Sequence, residues 1–289
     1  MRLKVMMIVI HRLRQYSYLM RLHKPIGIFL LLWPTLWALW LAAHGQPHWQ
    51  VVAIFVAGVI LMRSAGCIAN DYADRYVDGH VQRTRKRPLV TGEVSTKEAL
   101  VLFCLLSLAA FGLVLFCNSL TILLAFVGLG LAVCYPLLKR FTYFPQVGLG
   151  FAFAWGIPMA FAAEMNIVPW SGWLLFFAGA LWPVIYDTFY AMVDREEDIK
   201  VGIKSTAICF GRLDRWIIVV LQTWFLCLMW LVGHVFKLNG FYNMSLLVVA
   251  LLFLYQQWLV GHRCRKYYFR AFLNNHWVGL AIFAGILVG

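Results

Sequence analysis

The sequence predicts an all-α, polytopic membrane protein with nine transmembrane helices. Three observations predict it. Of the 289 residues, 63% are hydrophobic and 13% charged, whereas a soluble domain is nearer half apolar and a quarter charged. The apolar residues gather in runs near 26–43, 50–69, 99–117, 119–138, 145–163, 170–192, 214–236, 244–261 and 276–289, most of them close to the roughly 20 residues a bilayer span needs. The basic residues fall almost entirely on alternate connections between those runs. No polar stretch is long enough to fold by itself, so residues 1–289 read as a single integral membrane domain. Disorder requires low hydrophobicity and is excluded.

The runs are apolar all round and do not alternate, which is the pattern of spanning helices and not of a barrel. The first run has about 18 apolar residues, longer than a signal-peptide core of roughly 7–15, and reads as retained. The last is short and reads as a tilted or partial span.

Orientation follows from charge. Arg2, Lys4, Arg12, Arg14, Arg21 and Lys24 precede the first run. Arg63, Arg75, Arg83, Arg85, Lys86, Arg87 and Lys97 surround the second connection, Lys139 and Arg140 the fourth. Arg195, Lys200, Lys204, Arg212 and Arg215 lie at the sixth, and Arg263, Arg265, Lys266 and Arg270 at the eighth. Only Lys237 is opposite. The positive-inside rule puts the basic face in the cytoplasm. The net charge of +13 therefore marks cytoplasmic loops and anionic lipid headgroups rather than nucleic acid. The acids behave alike, with only Glu164 on the other side.

The seven cysteines form no CxxC pair and mostly sit in apolar runs. They read as small core hydrophobes, with no disulfide or zinc site. His44 and His48 are four apart, but Gly45 and Pro47 argue against a helix and a metal pair there. Gly128, Gly130, Gly148 and Gly150 suggest close helix packing.

Two acidic clusters carry chemistry. The first, NDYADRYVD, occupies residues 70–78 at the end of the second span. On one continuous helix Asp71, Asp74 and Asp78 share a face, and Asn70 is one turn from Asp74. Arg63 projects from the same face, deeper in the membrane. The second, DTFYAMVDREED, occupies residues 187–198 at the end of the sixth span. Asp187, Asp194 and Asp198 fall together there, and no Gly or Pro interrupts residues 184–201. Carboxylates sharing a face repel unless cations lie among them. Oxygen donors without nearby Cys or His suit a hard divalent ion, and Mg2+ in such sites bridges carboxylates to phosphate. The bland alternative is an ion-pair network at the rim, with Arg75 and Arg195 as partners. Base follows each cluster: Arg83, Arg85, Lys86 and Arg87 after the first, Lys200 and Lys204 after the second. Acid that holds metal beside base that holds phosphate oxygens is what a diphosphate requires.

At these residues the chain resembles the UbiA superfamily of intramembrane aromatic prenyltransferases. The resemblance covers nearly the whole chain. It includes residues 24–40, RSAGCIANDYADRYVDGHVQRT at 63–84, YPLLKRFTYFPQ at 135–146, GIPMAFAA at 156–163 and YDTFYAMVDREEDIKVGIKSTA at 186–207. Lys86 and Val90 stand where the family has Asn and Pro. The resemblance implies nine helices around a central cavity, with the two acidic motifs facing across it. It implies that Asn70, Asp74, Asp78, Asp194 and Asp198 hold two Mg2+ ions, with Asp71 and Asp187 in support. Asp74, Asp78, Asp194, Asp198 and Arg140 would be catalytic, and the charge of Arg140 suits an aromatic carboxylate. Arg63, Arg83, Arg87, Lys139 and Lys204 join Asp71 and Asp187 as candidate substrate-binding residues. The implied reaction moves a polyprenyl group from polyprenyl diphosphate to the ring carbon of 4-hydroxybenzoate ortho to its hydroxyl, a step of ubiquinone biosynthesis. The implied location is the bacterial inner membrane with the site toward the cytoplasm. The alternatives are the same chemistry on another aromatic acceptor, and an ion-coupled transporter.

Overall fold

The computed structural model describes residues 2–80 and 82–289. Its helices are α1 (Arg2–Leu19), α2 (Ile26–Ala42), α3 (Trp49–Asp74), α4 (Pro88–Thr91), α5 (Thr96–Val114), α6 (Ser119–Leu138) and α7 (Pro145–Ala154). They continue with α8 (Gly156–Met165), α9 (Trp170–Val201), α10 (Thr206–Phe210), α11 (Asp214–Val235), α12 (Gly240–Gly261) and α13 (Arg265–Val288). Among the described residues, 8 helical segments are long and apolar enough to cross a membrane, with α7 and α8 forming one of them. The protein is a polytopic, all-helical membrane protein. The first apolar run forms α2, whose 17 residues reach about 25 Å at 1.5 Å per residue.

Boundaries follow local chemistry. A capping box starts α5, with Ser95 accepting from the Glu98 N–H and the Glu98 side chain accepting from the Ser95 N–H. Asn118 caps α6 by accepting from the Thr121 N–H, and its amide donates to the Ala162 carbonyl at 2.6 Å. Gly202, at φ 73°, ends α9 in the left-handed conformation that glycine tolerates.

Four expectations change. The last span is not partial: α13 begins at Arg265 and runs 24 residues, because the polar residues Asn274, Asn275 and His276 lie inside the helix. The run at 145–163 breaks at Trp155, since Pro158 has no N–H to give the Ala154 carbonyl. Helix α3 ends at Asp74, so Asp78 is not on a continuous helical face with Asp71 and Asp74. It opens a separate 3-10 turn, and its carbonyl accepts from Thr84 Oγ1 at 2.7 Å. Of the seven cysteines, all free, only Cys67 is buried, and five are exposed, several on outward faces of spanning helices.

Helix α9 is the centre of the bundle, flanked by α7, α8, α11 and α13, with α2 across from it. The core is aromatic: Trp37 and Trp182 are fully buried with ring centroids 5.3 Å apart. The outward faces of α5 and α6 carry Leu105 and Leu123 exposed, as lipid-facing helices do. Glu164, the lone acid on its side, is paired with His48 at 2.6 Å. Close packing depends on glycine at three of the four expected positions. A Cβ on Gly148 or Gly150 would lie 2.2 Å from Leu138 or from the Ala180 carbonyl oxygen, and one on Gly128 2.9 Å from Trp155. Gly130 meets nothing within 4 Å, so the packing reading fails there.

Gly150→Ala is therefore expected to destabilise by about 2 kcal/mol or more, because backbone cannot yield as a side chain can. Gly130→Ala is expected to be neutral or stabilising by up to about 1 kcal/mol. Thermal melting of the two variants in the same detergent checks the contrast.

Candidate active site

Both acidic clusters sit at the C-terminal ends of spanning helices, α3 and α9, on the basic face. Between them lies a cavity of about 300 Å³. Its walls carry Asn70, Asp74 and Asp78 on one side and Asp187, Asp194 and Asp198 on the other. Arg63, Arg83, Arg87, Lys139 and Lys204 also line it. Of the candidate residues only Asp71 and Arg140 do not line it.

Three of the five inward carboxylates have a cation within ion-pair distance. Lys139 Nζ donates to Asp74 Oδ2. Arg87 Nη1 donates to Asp78 Oδ2 at 2.5 Å, and Arg83 to Asp194 through Nε at 2.9 Å and Nη2 at 2.5 Å. Asp71 lies behind the cavity, 2% exposed, between Arg21 at 2.5 Å and Arg87 at 3.0 Å. It holds two cations in place rather than facing a ligand. The partners named by the bland alternative are engaged elsewhere: Arg195 with Asp214, Arg75 with the Tyr72 carbonyl and the Tyr72 and Tyr76 rings.

Local structure sets these positions. Lys139 caps the end of α6, and the Lys204 N–H donates to its carbonyl at 3.0 Å, drawing the segment after α9 beneath the cavity. Lys204 Nζ donates to the Phe141 carbonyl at 3.2 Å. Arg140 turns the other way and donates to the Ala73 carbonyl, tying α6 to α3 beside Asp74. Burial pushes the Asp78 carboxyl above its ordinary range; Arg87 opposes, while Asp74 and Asp71 add to the rise. Burial works against the charge on Arg83, but Tyr190 and Asp194 outweigh it and hold the guanidinium above its ordinary value.

Arg63 is different. Its Nη1 donates to Cys67 Sγ at 2.8 Å, it lies over the Phe153 ring, and its buried Nε has no hydrogen-bond partner. Among the described residues it forms no ion pair. Its place is kept by Gly27, where a Cβ would come 2.3 Å from Nε. With Tyr135 and Phe153 it also borders a second, apolar chamber of about 410 Å³ between α3, α5, α6 and α8. The polar cavity and the apolar chamber thus share a wall.

Sequence reasoning missed Arg21, Tyr135, Gln146, Tyr190, Phe269 and Phe272, all of which line the cavity. Arg21 was legible only as one more cation of a basic terminus. Tyr190 lies one turn before Asp194 on α9, so helical spacing could have found it; its hydroxyl accepts from Arg83 Nη1 at 2.5 Å.

Among the described residues no three His, Cys, Asp or Glu close on one point to hold a metal by themselves. The donor set nonetheless fits Mg2+, which takes one or two carboxylates, keeps waters and completes its shell from phosphate. Asn70 with Asp74 and Asp78, and Asp194 with Asp198, are two such sets facing each other.

The fold and cavity define a class: an all-helical membrane protein in which a cavity of paired acids and bases adjoins an apolar chamber. The chain belongs to the UbiA prenyltransferase family, whose model matches residues 31–283. It is similar to the 4-hydroxybenzoate octaprenyltransferase of Pseudomonas syringae pv. tomato, with 57% identity over 94% of this chain and 92% of that one. The protein of the same description from Saccharophagus degradans is 58% identical over 94% of this chain and 91% of that one. Among solved structures, it is similar to a UbiA homolog from Aeropyrum pernix K1, with TM-score 0.78, 26% identity, and 91% and 97% of the two chains covered. A UbiA homolog from Archaeoglobus fulgidus bound to GPP and Mg2+ shares the fold, with TM-score 0.72, 16% identity, and 93% and 99% covered.

Asp71→Asn is expected to lower stability by about 3 kcal/mol or more, because it leaves Arg21 and Arg87 facing no charge at their shared partner. The measurement is thermal melting without substrate. A drop no larger than that of an exposed pair would show that the buried pairing contributes little.

Proposed function

We propose that the protein is a 4-hydroxybenzoate polyprenyltransferase of ubiquinone biosynthesis, acting on polyprenyl diphosphate in a bacterial inner membrane. The observation that carries the reading is the shared wall: a cavity of paired acids and bases opens at Arg63, Tyr135 and Phe153 onto an apolar chamber. A diphosphate head and an isoprenoid tail need these two environments side by side. The names and the identity of the curated relatives support the acceptor, and family membership favours prenyl transfer over ion transport.

In this reading Asn70, Asp74 and Asp78 on one wall and Asp194 and Asp198 on the other hold Mg2+, which when bound neutralises the diphosphate and favours its departure. Lys139, Arg83 and Arg87 exchange their carboxylate partners for phosphate oxygens as the substrate enters. Lys204 and Asp187 complete the polar lining around it. The allylic C–O bond breaks with its electron pair leaving on the diphosphate. The ring carbon ortho to the phenol oxygen bonds to the allylic carbon, and the ring proton passes to a base, namely the departed diphosphate, a cavity aspartate or water, which restores the aromatic ring. Aromatic and apolar walls, including Tyr190, Phe269 and Phe272, keep water from the allylic cation. Arg63, which forms no ion pair among the described residues, receives the acceptor carboxylate, a role the resemblance suggested for Arg140. Arg140 instead positions Asp74 through its bond to Ala73.

We read α2 as the ninth span and residues 1–289 as one domain, with the basic face and the cavity toward the cytoplasm.

Mg2+-dependent transfer of a polyprenyl group to labelled 4-hydroxybenzoate is the test, run on solubilised protein with Mg2+ or EDTA. Asp74→Ala and Asp194→Ala are each expected to lower kcat at least about 100-fold, the loss of roughly 2.7 kcal/mol of transition-state stabilisation. Product formed equally well in EDTA would overturn the metal reading. Arg63→Met is expected to raise the KM for the acceptor about tenfold or more while the KM for the prenyl donor holds; an unchanged acceptor KM would return the carboxylate to Arg140.

A further inference from the structure

The turn of α9 that carries Asp194 and Asp198 is tied on every side that does not face the cavity. At about 100° per residue, those two point together while residues 195, 196 and 197 fan round the rest of the helix. Arg195 donates to Asp214 on α11. Glu196 and Glu197 each accept from Arg265, at 3.0 and 2.8 Å, and Glu197 also accepts from the Gln82 N–H at 3.2 Å.

These ties are unequal. The Glu196 side chain is 79% exposed, and an exposed pair contributes little. The Asp214 carboxylate is fully buried at the first position of α11, where the helix dipole favours an acid. Its Oδ1 accepts from Arg263 Nη1 at 2.7 Å and from the Arg215 N–H at 2.6 Å. Its Oδ2 accepts from Arg195 and, at 2.9 Å, from Arg263. Arg263, at φ 50° in the turn between α12 and α13, also donates to the Arg212 carbonyl at 3.2 Å. One buried carboxylate thus joins the end of α9, the start of α11 and the turn before α13. Neither Asp214 nor Arg195 nor Arg263 lines the cavity.

We propose that Asp214 is a positioning residue. Through Arg195, with Arg263 as second anchor, it fixes the rotation and height of the last turns of α9, so that Asp194 and Asp198 present their oxygens together. This inference rests on the metal-assisted reading of the cavity. The tie opposes a pull from the other side, where Arg83 grips Asp194. Helix ends fray, and this one carries two of the proposed ligands in its last two turns.

The test is Mn2+ binding to the detergent-solubilised full chain with inorganic diphosphate, followed by electron paramagnetic resonance, beside metal-free thermal melting. Asp214→Asn is expected to weaken Mn2+ binding about tenfold, Asp214→Glu to recover most of it, and Glu196→Gln to leave it unchanged. An Asp214→Asn protein that melts lower yet binds Mn2+ as the wild type does would reduce Asp214 to a packing role and overturn the inference. Should that variant not fold, Arg263→Gln, which leaves Arg195 on Asp214, is expected to weaken binding about threefold, and unchanged binding overturns the inference equally. A wild-type protein that binds no Mn2+ would bring down the metal reading itself, an outcome distinct from equal binding by wild type and variant.

Discussion

A carboxylate removed from water must meet a cation, and the architecture of this protein follows from that constraint. Desolvating an ion costs several kcal/mol even after relaxation, yet the ends of α3 and α9 and the turn that follows α3 bring Asp71, Asp74, Asp78 and Asp194 into buried positions. The chain answers with Arg21, Arg83, Arg87 and Lys139, drawn from three different places in the sequence. The turn before α2, the connection after α3 and the end of α6 are all folded toward the cavity by these pairs. In the proposed reading, a doubly charged cation and a diphosphate take over the two halves of the pairs at Asp74, Asp78 and Asp194, while Asp187 and Asp198 face the cavity without an ion pair among the described residues.

Much of this was legible in the sequence. Apolar run length located the 8 segments long and apolar enough to cross a membrane among the described residues, the last of them only in its second half, since nothing but helix satisfies backbone in lipid. The uninterrupted stretch 184–201 placed Asp187, Asp194 and Asp198 on one helix, and α9 does run to Val201. The first cluster was harder. Its spacing suits a helix through Asp78, but the chain turns after Asp74, and Arg87 draws the Asp78 carboxylate to itself. Asp78 still lines the cavity, for a tertiary reason the spacing does not contain. Arg140 and Lys139 are adjacent and chemically alike, yet one faces the cavity and the other the Ala73 carbonyl. Only the conformation at the end of α6 separates them.

What periodicity could not reveal is pairing between distant segments. Arg21 and Asp71 meet across fifty residues, and Arg83 and Asp194 across more than a hundred. The same holds far from the cavity. Gln222 of α11 donates to Gln256 of α12 and accepts from Gln257, while Gln256 donates to Asn274 of α13. Asn275 accepts from Trp182 of α9 at 3.0 Å. In sequence these are scattered amides in apolar runs. In the fold they join four helices, as interhelical hydrogen bonds do where no hydrophobic force discriminates one helix face from another.

The sidedness of charge has a further consequence. Beyond the basic face the only formal charges are Glu164 and Lys237, which cancel, so the whole net charge of +13 resides at one boundary of the bilayer. Carrying that charge through a potential of 100 mV corresponds to about 30 kcal/mol, at roughly 2.3 kcal/mol for each elementary charge. Inversion after insertion is closed to such a molecule on energetic grounds alone. In the proposed orientation, with the basic face toward the cytoplasm, a membrane potential that is negative inside adds to that barrier and opposes reversal of the topology.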